Sequence, residues 1–396
     1  MIPNDSEKLF LRLAEKMGIE GLLKTLKKKY PETVLIDVPL KSFKGTNLAG
    51  DVCIYAYKYM AVAREEACKF IDVSKENPKH ENMRSFWLEK YYQLAMAFVE
   101  CDINFIPVFD GGPFRLKDRT KEDRASVGLQ RDEKIADLRH ALQNEPDNDK
   151  IRDALRNEIV RAVTFQPQDW EYLEDMLRTM GLPVLKGPYE AEAVCSRLAR
   201  AGLVSGVVSN DGDTLVHGAN IMIIDVKRSY QGGRPTHKCT CIILSEVLRV
   251  LGLSRDAFVD LCTLLGTDYN DNIPKIAWVN SFKLIKQYGS LEAVIANLSP
   301  KIDLKEHRLG DPALRREIRG YFVDELPDSI PDHPLTLCYD GGLYDCFDRI
   351  FNGFNRRRML DLTIKAASVL TDFNQKFASL QKFILIHKGN VGENNL

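Results

Sequence analysis

The chain has 396 residues, 44% of them hydrophobic, with a net charge of −1. That suits one large globular domain with additions, or two modest ones. No apolar run is long enough to span a membrane, and nine scattered cysteines without a CxxC pair argue against a zinc site or a disulfide framework. The N-terminal MIPNDSEKLFLRLAEKMGI has no apolar core and does not look like a secretion signal.

In chain order, 17–31 has helical apolar spacing at Ile19, Leu22, Leu23 and Leu26, and 51–70 and 84–101 also predict helices. NFIPVFDGG (104–112) predicts a buried strand breaking into a loop. Residues 115–165 are charged, with a turn at 143–150 between two helices. DWEYLEDMLRTMGLP predicts a helix ended by Gly181 and Pro183, and another starts near Pro188. SGVVSND (205–211) and ANIMIID (219–225) predict strands. SEVLRVLGL and DAFVDLCTLLGTDY predict helices, and 280–298 predicts two short ones around Gly289-Ser290. Strands alternating with helices imply an α/β fold with a mostly parallel central sheet.

Basic residues run locally at Lys27-Lys28-Lys29, at Arg356-Arg357-Arg358 and through 111–131, where six stand against three acids. Each run alone reads as a solvated helix face. Acids fall where strands should end: Asp110 after IPVF, Asp211 and Asp213 after GVVSN. Ligand groups gather at such ends in parallel sheets. Glu190 and Glu192 lie two apart at a helix start, Asp268 follows LLGT, and Asp51 follows the N-terminal segment. Scattered carboxylates suit hard Mg²⁺, although pattern alone leaves them readable as unrelated surface acids.

At these residues the chain resembles the flap endonuclease/XPG nuclease family. GPYEAEAVCSRLARAGLVSGVVSNDGDTLVHGA (187–219) resembles its most diagnostic motif. VFDGGPFRLKDRTKEDR (108–124) and FVDLCTLLGTDYNDNI (258–273) resemble two more, MGIEGLLKTLKKKYP its N-terminus and GDVCIYAYKYM (50–60) its first Asp-bearing motif. The resemblance implies a PIN-like 5′-nuclease fold with a helical arch and a helix–hairpin–helix-type element. It implies two Mg²⁺ ions, with Mn²⁺ able to substitute, on Asp51, Asp110, Glu190, Glu192, Asp211, Asp213 and Asp268. Lys117 and Arg124 then contact the scissile phosphate, and with Asp211 they form the catalytic set. Tyr57 then stacks a base and Gly18 lies near the DNA; Arg64, one to two turns beyond Tyr57, is a candidate phosphate contact, and Lys275, Lys283 and Lys286 are this chain's own candidates to grip duplex in place of the family's hairpin-turn residues. The implied divisions are an extension at 1–16, a nuclease N-terminal region at 17–125, an arch at 126–165, an internal region at 166–300 with the hairpin element at 270–298, and a C-terminal extension at 301–396.

Two departures stand out. Sixteen residues precede the family's usual Met-Gly-Ile start, here Met17-Gly18-Ile19. Where the family carries a Gly-Ile-Gly-Pro-Lys-Arg hairpin turn, this chain has Lys275-Ile276-Ala277-Trp278-Val279-Asn280. Without the glycines that permit close backbone approach, the turn argues against a K⁺ site. The implied substrates are DNA with a 5′ flap, nick or junction, cut during replication, repair or recombination, inside the cell, in the nucleus or at a site of DNA replication. Only 80 residues separate Asp110 from Glu190, which favours a flap endonuclease over the long-spacer excision-repair type. A four-way junction resolvase or 5′→3′ exonuclease of the same family, a 5′→3′ exoribonuclease and a non-catalytic DNA-binding protein are the alternatives. QKFASLQKFIL (375–385) is amphipathic but lacks the spacing of a sliding-clamp peptide, and reads as a packing helix.

Overall fold

The computed structural model describes residues 19, 21–112, 115–231, 234–273, 276–298, 302, 304–305, 307–323, 346 and 369–370. In chain order the elements are α1 (Leu22–Lys29), β1 (Val34–Pro39), β2 (Asn47–Asp51), α2 (Val52–Ala67), α3 (His80–Val99), β3 (Asn104–Phe109), α4 (Asp118–Asn144), α5 (Asp149–Arg161), α6 (Pro167–Thr179), β4 (Leu185–Lys186), α7 (Ala191–Arg200), β5 (Gly206–Val208), α8 (Asp213–Val216), β6 (Ile221–Gln231), β7 (Arg234–Ile243), α9 (Leu244–Leu251), α10 (Arg255–Leu265), α11 (Trp278–Tyr288), α12 (Leu291–Ala296) and α13 (Pro312–Val323).

The strands form one sheet in the order β1-β7-β6-β5-β2-β3-β4. From β6 to β4 all neighbours are parallel. Parallel neighbours need crossover connections, and helices supply them. The sheet is the mostly parallel α/β sheet expected from sequence, with an addition at one edge. There β7 runs antiparallel to β6, and β1 antiparallel to β7. The sequence expectation ended this strand at 225, but β6 continues to Gln231 and returns as β7. Its outer half, VKRSY, is half-exposed to exposed and mostly polar, so it lacks the apolar run that marks a buried strand. Lys27 of the first basic run pairs across to Asp225, at the hairpin's irregularity, at 3.2 Å.

Side chains alternate across β2, as strand geometry requires. Leu48 joins a core with Val52, Tyr55, Trp87, Tyr91, Phe98 and Leu177, from α2, α3 and α6. Ala49 joins the other face with Val194, Cys195 and Leu198 of α7. A further core binds α1 to α9–α13. Helices α4 and α5 pack through Ile135, Leu142, Leu155 and Ile159, and reach Cys68 beyond the end of α2. The helix α4 runs unbroken through the expected boundary at 125–126, so Arg124 and the first residues of the expected arch belong to one helix. The expected pair around Gly289-Ser290 is present: Gly289 ends α11 with φ 84°, and Ser290 Oγ accepts from Ala293 N to start α12. Among the described residues no helix is long and apolar enough to cross a membrane. Gly18, Lys275, Arg356-Arg357-Arg358 and 375–385 lie outside the described residues.

Candidate active site

Three neighbouring parallel strands end at one place. Asp51 closes β2 and caps α2, its Oδ1 accepting from Cys53 N at 2.9 Å and Ile54 N at 3.3 Å. Asp110 follows β3, and its Oδ1 accepts from Ala191 N at 2.9 Å, which fastens the strand end to the start of α7. Gly111 makes this approach possible. Its N–H donates to Tyr189 O at 2.7 Å, and a Cβ there would come within 2.2 Å of Gly187 O. Glu190 stands just before α7 with its side chain free of the helix's own N–H groups, and Glu192 is buried in the first turn. After β5, Asp211 N donates to Ser209 Oγ at 3.1 Å, and Asp213 N donates to Asp211 Oδ1 at 2.9 Å. Asp268 arrives last, after α10 ends at Gly266 with φ 96°, a left-handed conformation that favours glycine.

The acids feel one another. Burial, then Asp110 and Asp211, push the Asp51 carboxyl up to about 8. Burial, then Asp268, push Asp211 up to about 6. Glu192 and Asp213 are held well above the usual carboxylate range by burial, with neighbouring acids adding to it. This is the signature of like charges crowded into a low-dielectric cleft. Asp268 departs from it: burial would raise its pKa, but Lys117 and Arg124 outweigh burial and lower it.

Those two cations hold the cluster together. Lys117 Nζ lies 2.5 Å from Glu190 Oε2 and 2.8 Å from Asp268 Oδ2. Arg124 Nη2 lies 3.0 Å from Asp268 Oδ2. Lys117 sits at the start of α4 and Arg124 within it, so α4 grows directly out of the acidic site. Tyr269, which the sequence offers only as the neighbour of Asp268, donates its hydroxyl to Glu190 Oε2 at 2.7 Å. Its ring also lies 5.9 Å from Lys117 Nζ.

The donors fit a hard divalent cation. All are carboxylates, and both oxygens of buried Asp213 lack a hydrogen-bond partner. Among the described residues no three acids already converge on one point as a ligand set. Lys117 instead sits between two of them as a cation.

The other expected contacts are placed as follows. Tyr57 is 43% exposed, within electrostatic reach of Arg124 and Asp110. Arg64 differs from its expectation of meeting a phosphate. It is buried, and its Nε donates to Ile159 O at 3.0 Å, tying α2 to α5. Lys283 and Lys286 are exposed on α11, with Lys286 Nζ donating to Gly252 O at 2.8 Å. Trp278 is half-buried, stacked on Phe282 at 6.3 Å and tilted against Tyr30.

The described motifs are matched by known families: the XPG N-terminal domain at residues 17–131 and the XPG I-region at 181–268. Flap endonuclease 1 of Debaryomyces hansenii is 30% identical over 322 residues, covering 81% of this chain and 79% of that protein. The chain belongs to the XPG/flap endonuclease family. Flap endonuclease 1 of Glycine max, another relative of this XPG-family chain, is 31% identical over 78% of this chain and 75% of its own length. In fold, the chain is similar to flap endonuclease-1 from Methanococcus jannaschii, with TM-score 0.57 and 21% identity over 86% of this chain and 96% of that one. It is also similar to human GEN1 solved with Holliday junction DNA, with TM-score 0.54 and 18% identity over 90% of this chain and 78% of that one.

Proposed function

We propose that this XPG-family chain is a structure-specific DNA endonuclease that hydrolyses phosphodiesters where single strand meets duplex, at 5′ flaps foremost. The observation that carries this is the acidic cluster at the ends of β2, β3 and β5, with Lys117 and Arg124 set into it from α4. Asp51, Asp110, Glu190, Glu192, Asp211, Asp213 and Asp268 are the residues to hold two Mg²⁺ ions. Divalent cations supply, when bound, the positive charge that a phosphodiester and crowded carboxylates both require.

The chain's own side chains do the rest. Lys117, paired with Glu190 and Asp268, is placed to present its ammonium to the scissile phosphate. Arg124 presents a planar, multiply donating guanidinium suited to phosphoryl oxygens. Both stabilise charge that grows at the phosphate as the bond breaks. Tyr57, open to solvent at the rim, offers a ring face to a base, a contact that reads no sequence. Tyr269 orients Glu190. The compact span between β3 and α7 favours the flap endonuclease type over the excision-repair type with its long spacer.

The test is to offer the full chain 5′-flap DNA, nicked duplex, a four-way junction and single-stranded RNA, each with Mg²⁺ or EDTA. Mg²⁺-dependent cutting of the flap near its junction is expected, ahead of the other substrates. Preference for the four-way junction would make the protein a resolvase, and cleavage of RNA alone would overturn the DNA assignment.

A further inference from the structure

Tyr57 is not an isolated ring. It meets Phe165 edge-on with centroids 4.9 Å apart, and Trp170 lies at 6.3 Å. Phe165 stacks on Trp170 at 4.5 Å, with 28° between the planes. Trp87 closes the inner side, edge-on to Phe165 at 5.4 Å. Exposure is graded outward: Trp87 is fully buried, Phe165 and Trp170 are half-buried, and Tyr57 is 43% exposed. The cluster is therefore anchored in the core on one side and open to water on the other.

Its position is at the foot of the arch. Lys117 and Arg124 mark where the chain enters α4, while Phe165 and Trp170 lie where it returns from α5 into α6. Tyr57, on α2 beyond Asp51, joins the two feet.

The mount is rigid. Trp170 stands on the first turn of α6, which is closed by reciprocal hydrogen bonds between Gln166 and Asp169. The Asp169 carboxylate is completely buried. It accepts from Gln166 N at 2.8 Å, meets His80 Nε2 at 2.6 Å, and accepts from Arg84 Nε at 3.3 Å. The Arg84 guanidinium in turn lies over the Tyr172 ring at 4.8 Å. A surface fixed before its ligand arrives loses little conformational freedom on binding. Large rings with few rotatable bonds suit that role.

We propose that Tyr57, Phe165 and Trp170 form a single binding surface for unpaired nucleobases of the strand that leaves the duplex. Trp170 supplies a second ring beyond Tyr57, and Phe165 is the positioning residue that locks the two together. This rests on the nuclease reading above in one respect, that nucleic acid occupies the cleft. The ligand class follows from the chemistry: flat, sequence-tolerant π-faces near the start of the helix that carries Arg124 take bases of any identity.

The test uses the full chain carrying Asp211→Ala to suppress cleavage, with two 5′-flap DNAs. One has adenines in the flap and the other has abasic nucleotides next to the junction. The adenine flap should bind roughly ten-fold tighter and quench tryptophan fluorescence. Adding Trp170→Leu or Phe165→Leu should abolish that preference while leaving the affinity for blunt duplex unchanged. Trp170→Phe should restore the preference and remove the quench. Equal binding of the two flaps by the parent protein, or full preference in the Trp170→Leu protein, would overturn the proposal. If the unaltered chain cuts no DNA in Mg²⁺, the nuclease reading fails. If it cuts normally and the Leu proteins keep their preference, only the stacking surface fails.

Discussion

Lys117 holds two carboxylates at once, from α7 and from the segment after α10. Its charge is needed most when negative charge grows at a phosphate, so Lys117→Ala should lower kcat by about a hundred-fold or more while KM changes little. Single-turnover cleavage of a 5′ flap measures this; an effect confined to KM would make Lys117 a binding residue only. Asp211→Ala should abolish cleavage yet leave flap affinity intact or tighter, because a repulsive charge facing the phosphates is gone. Electrophoretic mobility shift in Mg²⁺ checks both halves. That acids would fall at strand ends and helix starts was visible in the sequence, but only the family resemblance grouped them, because pattern alone reads equally well as unrelated surface acids. The roles of Tyr269 and Arg64 were not visible. A tyrosine hydroxyl beside Asp268 carries no mark of its partner, which tertiary packing alone brings from Glu190. An arginine on a helix looks the same whether it faces a phosphate or, as here, the carbonyl of Ile159.

At the scale of elements, Arg64 is a strut between α2 and α5. Arg64→Ala leaves the Ile159 carbonyl without this donor, and should cost about 1–3 kcal/mol in urea denaturation. The salt dependence of duplex binding should not change, since that slope counts cations on phosphates. A flattened slope with unchanged stability would return Arg64 to the DNA surface. The helices were legible through apolar spacing, and the paired helices α11 and α12 through Gly289-Ser290. The long β6–β7 hairpin was not, because its outer half stands in water and has no apolar alternation to betray it. The aromatic surface on α2 and α6 was legible only as Tyr57. Its other members lie more than a hundred residues further along the chain, and nothing but the fold brings them together.

For the whole molecule, the raised carboxylates make stability depend on pH and metal together. Asp51 and Asp211 bind a proton more tightly folded than unfolded. Their stabilising contribution is complete below the ordinary carboxylate value of 3.8 and is lost as pH rises through about 6 for Asp211 and about 8 for Asp51. In EDTA the melting temperature should therefore fall between pH 5 and pH 8, and Mg²⁺ should restore it most at pH 8, by binding only the folded state. Thermal melts across that range check it; a metal-free melting temperature that rises with pH would mean the acids are not mutually repulsive. One more consequence follows from how the sheet is wound. Asp51 and Asp268 lie more than half the chain apart, and β2, beside the centre of the site, pairs with both β3 and β5. Closing such distant segments is slow and comes late in folding. A growing chain that has not passed Asp268, or a fragment cut anywhere before α10, therefore lacks the full acidic cluster, and the cutting edge cannot be assembled before that point in the chain.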